Sequence, residues 1–424
     1  MTSKARHPLS INEEKCIGCV HCLVSCPTKA IRIKNGKARL IGELCIDCGE
    51  CIRFCPHGAI ESQTTSFSDL DAFQYKVAIP TTVLYGQFDN TVLPNDILFA
   101  LRRIGFDQVY ELSSICELTN AALEEYLRDN PKPRPLIAST CPVVVRLIQR
   151  RFPSLCDHIV PIEPPREIAA KILRANLSRV LKIPPAGIGI IHITPCPAKI
   201  VSINYPASLE KSYLDGAISI RDIYKPICQV LRRNEEEAIL RHLFPETLLS
   251  GIGIGTALSG GETRSLKNHR TIAVAGVQDT IRILNQVEIG LLKDLDLLEC
   301  MVCPDGCVGG PLVVENRFLA KSRILGLVSA LGERTVVESS DMNLLFHKDF
   351  LSFQHPIKPL EIPPLDADPV HAIRKANQRN DLIQQLPHKD CGACGAPDCR
   401  TLADDIVRGQ ADITDCPFMS KEGK

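Results

Sequence analysis

The 424-residue chain sets 49 Lys and Arg against 49 Asp and Glu, so no basic excess draws it onto nucleic acid or an acidic membrane surface. No apolar run reaches the roughly 18 residues of a membrane span, and the opening "MTSKARHPLSINEEKC" lacks the apolar centre of a secretion signal, so a cytoplasmic chain of about three domains is expected. Its 20 cysteines, in a long chain without such a signal, point to metal rather than to disulfides.

An internal repeat comes first. "KCIGCVHCLVSCPTKAI" starts at Lys15 and "LCIDCGECIRFCPHGAI" at Leu44, 29 residues later. Both read C-x2-C-x2-C-x3-C-P. The first three thiolates of such a run suit one 4Fe–4S cube, and the fourth is held away to ligate the other. One cluster is therefore expected on Cys16, Cys19, Cys22 and Cys55, the other on Cys45, Cys48, Cys51 and Cys26. Zinc knots use paired C-x2-C instead. Residues 1–65 resemble a bacterial two-cluster ferredoxin, an α+β domain that carries electrons. His21 and His57 lie in the cluster loops, as tuning groups or as plain spacers. A polar connector, "ESQTTSFSDLDAFQ", follows.

Residues 76–355 read as α/β, with short β-branched runs alternating with helical patterns. Strands are expected at Val77–Tyr85, Leu136–Ser139, Gly187–Ile193, Thr271–Ala275 and Leu295–Leu298. Helices are expected at Leu118–Arg128, Val143–Arg151, Pro165–Val180, Ile220–Arg232 and Gln278–Leu292. The alternation predicts parallel sheets with flanking helices. Three segments place cysteine beside proline or glycine: "IASTCPVVV", "IHITPCPAKIV" and "CMVCPDGCVGGP". The carboxyl ends of parallel strands are where open α/β sheets bind ligands. There Cys141, Cys196, Cys303 and Cys307 form one four-thiolate site, or each is a buried structural cysteine. "GIGIGTALSGG" (Gly251–Gly261) has no acidic partner at the offset a dinucleotide fingerprint needs and reads as a loop near the cluster.

The order STCP, PCxxK, MxCxxGCxGG resembles the catalytic domain of FeFe-hydrogenases over about 280 residues, in the family's order after a ferredoxin module. The resemblance implies that Cys141, Cys196 and Cys303 hold a 4Fe–4S cube. It implies that Cys307 also bridges to a two-iron centre carrying CO, CN and a dithiolate amine. Lys199 matches the lysine that hydrogen-bonds a cyanide, as a cationic donor suits a negatively charged ligand; read alone it would be a solvated surface lysine. Met301 matches a methionine packed near the two-iron centre, or is plain core. The departures concern protons. Thr140 stands where fast enzymes of the family have a relay cysteine, and a hydroxyl is a far poorer acid than a thiol of pKa about 8.5. Ser202 replaces a glutamate, Thr194 a methionine, and Gly309-Gly310-Pro311-Leu312 replaces GGGQP. The ligands without the proton path resemble the sensory branch of the family.

The proline-rich stretch 356–369 should be an extended linker, followed by a polar helix at Val370–Leu386. In residues 370–424 Cys391, Cys394, Cys399 and Cys416 are spaced C-x2-C-x4-C-x16-C. They resemble the small 4Fe–4S domain of corrinoid iron–sulfur proteins, with zinc as the alternative and a short helix at Thr401–Arg408. Cys116, Cys156, Cys228 and Cys300 are left as small buried hydrophobes.

The fold expected is thus α/β, with a hydrogenase-like catalytic domain, an N-terminal ferredoxin-like domain and a small C-terminal cluster domain. The function expected is a low-turnover, hydrogen-sensing hydrogenase with dihydrogen (H2) as ligand or substrate. Its electrons pass through 4Fe–4S clusters to a redox or signalling protein partner. The alternatives are an electron-transfer subunit without the two-iron centre and an active ferredoxin-dependent hydrogenase.

Overall fold

The computed structural model describes residues 7–129, 133–232, 247–338, 345–361 and 364–419. Residues 362–363 of the expected linker, and the two ends of the chain, lie outside that set. Two compact units result: residues 1–63 with 360–424, and residues 64–359. No helix among the described residues is long and apolar enough to cross a membrane.

The larger unit holds two parallel sheets. In one, Tyr75–Pro80 lies between Gln108–Val109 and Ile188–Thr194, and Gly216–Ser219 adds to the far side of the latter. In the other, Leu297–Met301 lies between Thr271–Ala275 and Leu136–Ile137. All seven residues of Ile188–Thr194 are buried, as expected of a strand covered on both faces, and its apolar run is nearly continuous. Helices Ser113–Asp129, Pro142–Arg151 and Pro165–Leu181 cover and extend the expected segments, whereas Ile220–Leu231 ends one residue before the expected Arg232 and Val277–Glu288 stops four residues short of the expected Leu292.

The expected strand Val77–Tyr85 stops at Pro80, and Thr82–Gln87 is a buried 3-10 helix. There Gly86 lies against the backbone of Ala320, with room for no Cβ beyond 2.9 Å. The stretch from Gly251 is likewise no loop at its start: Gly251–Gly255 is a short helix. A Cβ at Gly253 would lie 1.8 Å from the Ser113 carbonyl oxygen, and one at Gly251 2.2 Å from that of Gly332. The glycines serve close backbone packing. Helices Pro94–Arg103, Pro197–Asn204 and Arg317–Leu331 were not anticipated.

In the smaller unit, strand Leu9–Ile11 pairs antiparallel with Ile60–Ser62, and Ile31–Lys34 with Lys37–Leu40. The second pair turns at Asn35-Gly36, both at positive φ, the signature of a tight hairpin. Helices His21–Ser25 and Glu50–Phe54 complete the repeat. Helices Pro369–Gln385 and Cys399–Val407 begin at aspartate caps, Asp368 and Asp398, and pack through Leu382, Ile383, Leu402 and Ala403.

The C-terminal segment is seated on the ferredoxin-like segment. The Ile33 N–H donates to the Gly395 carbonyl at 2.9 Å. Gly395, at φ +81°, lies so close that a Cβ would be 2.1 Å from the Ile33 oxygen. Beside it the Arg32 guanidinium grips both oxygens of Asp405, with Nη2–Oδ1 at 2.9 Å. Both side chains are buried, and Arg32 also donates to the carbonyls of Lys29 and Ile31. Removing one partner of a buried pair strands the other charge, which costs about 3–5 kcal/mol. Arg32→Met and Asp405→Leu should each lower the unfolding free energy by that amount, and the double variant should regain most of it. Single variants as stable as wild type in chemical denaturation would contradict the seating.

Candidate functional site

The two CP segments share one local design. Each cysteine is the residue before a helix with proline at its first position: Cys141 before Pro142–Arg151, Cys196 before Pro197–Asn204. Proline is favoured there because its missing N–H would go unused. Each follows the carboxyl end of a parallel strand, Leu136–Ile137 or Ile188–Thr194.

The third loop is held by backbone contact. After Leu297–Met301 the chain turns through Asp305 and Gly306 at positive φ. A Cβ on Gly306 would lie 2.5 Å from the Ser259 nitrogen, and one on Gly310 2.5 Å from the Pro195 oxygen. The Leu312 N–H donates to that same Pro195 carbonyl at 3.0 Å. Cys307 is thereby drawn to the Cys196 loop. Burial raises the Cys141 thiol and pushes that of Cys196 up to about 11; Cys307 lies close enough to add to both, and Cys141 to that of Cys196. Cys303 is buried in the same loop.

Lys199 is buried, not solvated, and its Nζ is 3.7 Å from Cys307 Sγ. It lines a cavity with Thr140, Cys307, Arg166, His192 and Glu262. Met301, buried at the last position of its strand, is not in that wall. Cys116, expected as plain core, is in it; burial pushes its thiol up to about 12. Cys300 is core, on its strand. His192 donates through Nδ1 to the Ile79 carbonyl at 2.9 Å, and its Nε2, like Arg166 Nε, is buried with no partner among the described residues. Ser202 accepts from Arg166 Nη2 at 2.8 Å. Buried lysine and arginine, an orphaned ring nitrogen and a thiol on one cavity suit an anionic, ligand-bearing metal group.

Thr140 is hydrogen-bonded to Glu262, a residue not anticipated from the sequence. Burial, then the neighbouring Glu299, push the Glu262 carboxyl from 4.5 up to about 8. Glu299 accepts from the Gly260 and Thr263 N–H groups at 2.7 and 2.9 Å and from the Thr263 hydroxyl at 3.0 Å. The better-bonded Glu299 is the better place for the charge, and Glu262 holds a proton at neutral pH. The available signal was Glu299 itself, the one acid in the apolar run "LLECMV".

In the smaller unit the crossed pairing is visible. Cys22 is pushed up to about 11 by burial and then by Cys16, Cys55 and Cys19. Cys48 is raised by burial and then by Cys51, Cys26 and Cys45. The fourth cysteine of each run thus sits with the other run's first three. Backbone N–H groups point at sulfur: Ala30 to Cys26 at 3.1 Å, Ala59 to Cys55 at 3.3 Å, Ala38 to Cys16 at 3.4 Å. Crowded, desolvated thiols that receive N–H donors suit thiolates neutralised by iron. His57 lines the Cys16–Cys55 chamber; His21 is exposed. In the C-terminal segment Cys394 is raised by burial and also by Cys416 and Cys391, while Cys399 packs on the same small core.

Glu262 makes a test of the site's electrostatics that needs no metal. Its folded pKa is raised, so its stabilising contribution is complete below about pH 4 and is lost as pH rises through 8. Metal-free Glu262→Gln should therefore match wild type near pH 4 and exceed it progressively up to pH 9, by about 5 kcal/mol. A pH-independent difference in denaturation would show that Glu262 is not held as the acid.

Comparison with known proteins agrees with this geometry. A family model described as iron only hydrogenase large subunit, C-terminal domain, matches residues 74–238 and 252–311, just over half of the chain. A 4Fe-4S dicluster domain matches residues 8–56, and a putative Fe-S cluster domain residues 386–418. The chain is 27% identical over 212 residues to the periplasmic Fe hydrogenase large subunit of Nitratidesulfovibrio vulgaris, 46% of this chain and 50% of that protein. It is 40% identical over 40 residues to the corrinoid/iron-sulfur protein large subunit of Moorella thermoacetica, 9% of each. It is 43% identical over 56 residues to an ion-translocating oxidoreductase complex component of Thiobacillus denitrificans, 12% of this chain and 30% of that one. The chain thus spans half or less of each of these relatives. In fold it is similar to the FeFe-hydrogenase HydA1 of Chlamydomonas reinhardtii, with TM-score 0.51 and 14% identity over 70% of this chain and 97% of that one. With its hydrogenase model covering the strands, helices and loops that build the Cys307 cavity, the chain belongs to the iron-only (FeFe) hydrogenase family and is an iron–sulfur protein of electron transport.

Proposed function

We propose that this protein oxidises dihydrogen slowly, as a hydrogen sensor, and passes the electrons through 4Fe–4S clusters to a redox or signalling partner. The observation that carries the reading is the buried Lys199 beside Cys307, on a cavity that keeps its cationic wall but has a hydroxyl at position 140. Cys141, Cys196, Cys303 and Cys307 would hold a 4Fe–4S cube, with Cys307 bridging to a two-iron centre that carries CO, CN and a dithiolate amine. Such a centre, when bound, supplies the place where dihydrogen yields two electrons and two protons.

The chain's own residues then do the following. Lys199 Nζ offers a cationic donor to a negatively charged ligand. Arg166 adds a second positive charge and His192 Nε2 a polar contact. The Glu262 acid, of which Glu299 is the partner, gives its proton outward and is reprotonated through the Thr140 hydroxyl, which gives one proton to Glu262 as it takes one from the cavity. A hydroxyl in this place is slow, because proton transfer follows acidity. A slow site suits a sensor, in which occupancy or redox state is read rather than flux. The first eight cysteines would hold two clusters in the crossed sets, Cys16, Cys19, Cys22 with Cys55 and Cys45, Cys48, Cys51 with Cys26. Cys391, Cys394, Cys399 and Cys416 would hold another. Cys391 is exposed, and that end is the proposed docking point for the partner.

Infrared spectroscopy of protein matured with the two-iron assembly machinery should show carbonyl and cyanide bands. Their absence would leave the chain an electron-transfer subunit. In the loaded protein Thr140→Cys should raise dye-coupled hydrogen oxidation by about tenfold or more; an unchanged rate would refute the account of the missing thiol. The crossed sets are tested by iron content: Cys26→Ser with Cys45→Ser should remove one cluster's iron, and Cys26→Ser with Cys16→Ser that of two. Equal losses would break the pairing.

A further inference from the structure

We propose that Glu163 is the outward proton station of this protein, joined to Glu262 by a water held between Asn120 Nδ2 and Glu163 Oε1. The proposal rests on the reading above, in which protons leave the Cys307 cavity past Thr140 and Glu262. Thr140, Glu262 and Asn120 are walls of that cavity, and all three are also walls of a second one. Only the second has Glu163 in its lining.

Two polar atoms on this second cavity are buried with no partner among the described residues: Asn120 Nδ2 and Glu163 Oε1. Each residue is 5% exposed. One is a donor and the other an acceptor, and leaving both unpaired would cost free energy that folded proteins avoid. One water satisfies both at once. The cavity has room for about one, and Thr140 and Glu262 offer the further polar contacts a buried water needs. The two sides of the cavity are tied together, because the Ser139 hydroxyl donates to the Ile162 carbonyl at 2.7 Å. The Glu163 N–H in turn donates to the Leu351 carbonyl at 2.8 Å, so the carboxyl is borne on anchored backbone.

The far side of Glu163 faces the groups that would take the proton onward. Ser208 is hydrogen-bonded to it, and Glu167, Arg166 and Lys171 are the charged neighbours. Lys171 is half-buried and its Nζ donates to the Phe350 carbonyl at 2.9 Å. Burial pushes the Glu163 carboxyl up to about 7, a value at which it both accepts and releases a proton near neutrality. In the transfer the Glu262 acid gives its proton to the water, and the water gives one to the Glu163 carboxylate. One proton moves and the water is unchanged. A purely structural Glu163, satisfied by Ser208, would need no link to Asn120.

The test has two arms. In metal-free protein, infrared difference spectra should show a protonated carboxyl band that titrates near pH 7, is lost in Glu163→Gln, and shifts in Asn120→Leu, or in Asn120→Ala should the larger side chain unfold the site. In protein carrying the two-iron centre, Glu163→Gln should slow dye-coupled hydrogen oxidation about tenfold or more and raise its solvent deuterium isotope effect. The KM for the dye should not change, and Glu163→Asp should restore part of the rate. A full rate in Glu163→Gln, or a carboxyl band indifferent to Asn120, overturns the proposal. Missing carbonyl and cyanide bands would overturn the hydrogen chemistry instead, and the band in metal-free protein would still decide whether a water joins Asn120 to Glu163.

Discussion

The larger unit depends on the contact of the Cys303–Gly310 loop with the backbone of the loops around it. Gly306 touches Ser259, Gly309 touches the Pro304 carbonyl and Gly310 touches Pro195, each with no space for a Cβ. That approach carries Cys307 from the end of one parallel sheet to Cys196 at the end of the other. Cys141, on the first sheet, completes the approach. A cysteine after a strand and before a proline-started helix is a local matter. Bringing those two loops and the Cys303–Gly310 loop to one place is not, and it needs glycine where backbones touch.

The second constraint is buried charge. Lys199 and Arg166 are withdrawn from water with few acidic partners at the cavity, while Glu262 and Glu299 lie behind Thr140. Burial disfavours every one of these charges unless something answers it. For Glu262 the answer is to keep its proton. For Arg166 part of the answer is the neighbouring Glu167 and Glu163; for Lys199, and for the rest of Arg166, the proposed answer is the anionic ligand set of a metal centre. On the proposed reading the same cavity wall serves both the metal ligands and a proton route built on carboxyls rather than on a thiol.

The smaller unit shows a division of labour between repeat and addition. The doubled cysteine run closes on itself by exchanging its fourth members, and the backbone N–H groups of Ala30 and Ala59 face the exchanged sulfurs equivalently. The C-terminal segment then covers the Ile31–Lys34 strand. Ile33 serves both, since it lines the Cys16–Cys55 chamber and pairs its backbone with Gly395 beside Cys394. Arg32 and Asp405 anchor that seating between residues far apart in the chain.

Spacing alone was enough to point to the iron–sulfur character of the N-terminal repeat, because a cluster demands thiolates at short, fixed intervals, and to anticipate parallel sheets from alternating strands and helices; at the C-terminal end it left zinc open. Thr140 was singled out by the resemblance to FeFe-hydrogenases, not by spacing. The sequence could not show that Gly251–Gly255 is helical, that Cys116 lines the cavity, or that Glu262, Glu299, Glu163 and Asn120 stand around Thr140. Those residues come from four separate segments and share no periodicity. Their roles arise from burial and mutual distance, which only the tertiary structure decided: a carboxyl becomes a proton carrier when folding removes its water and sets another acid beside it.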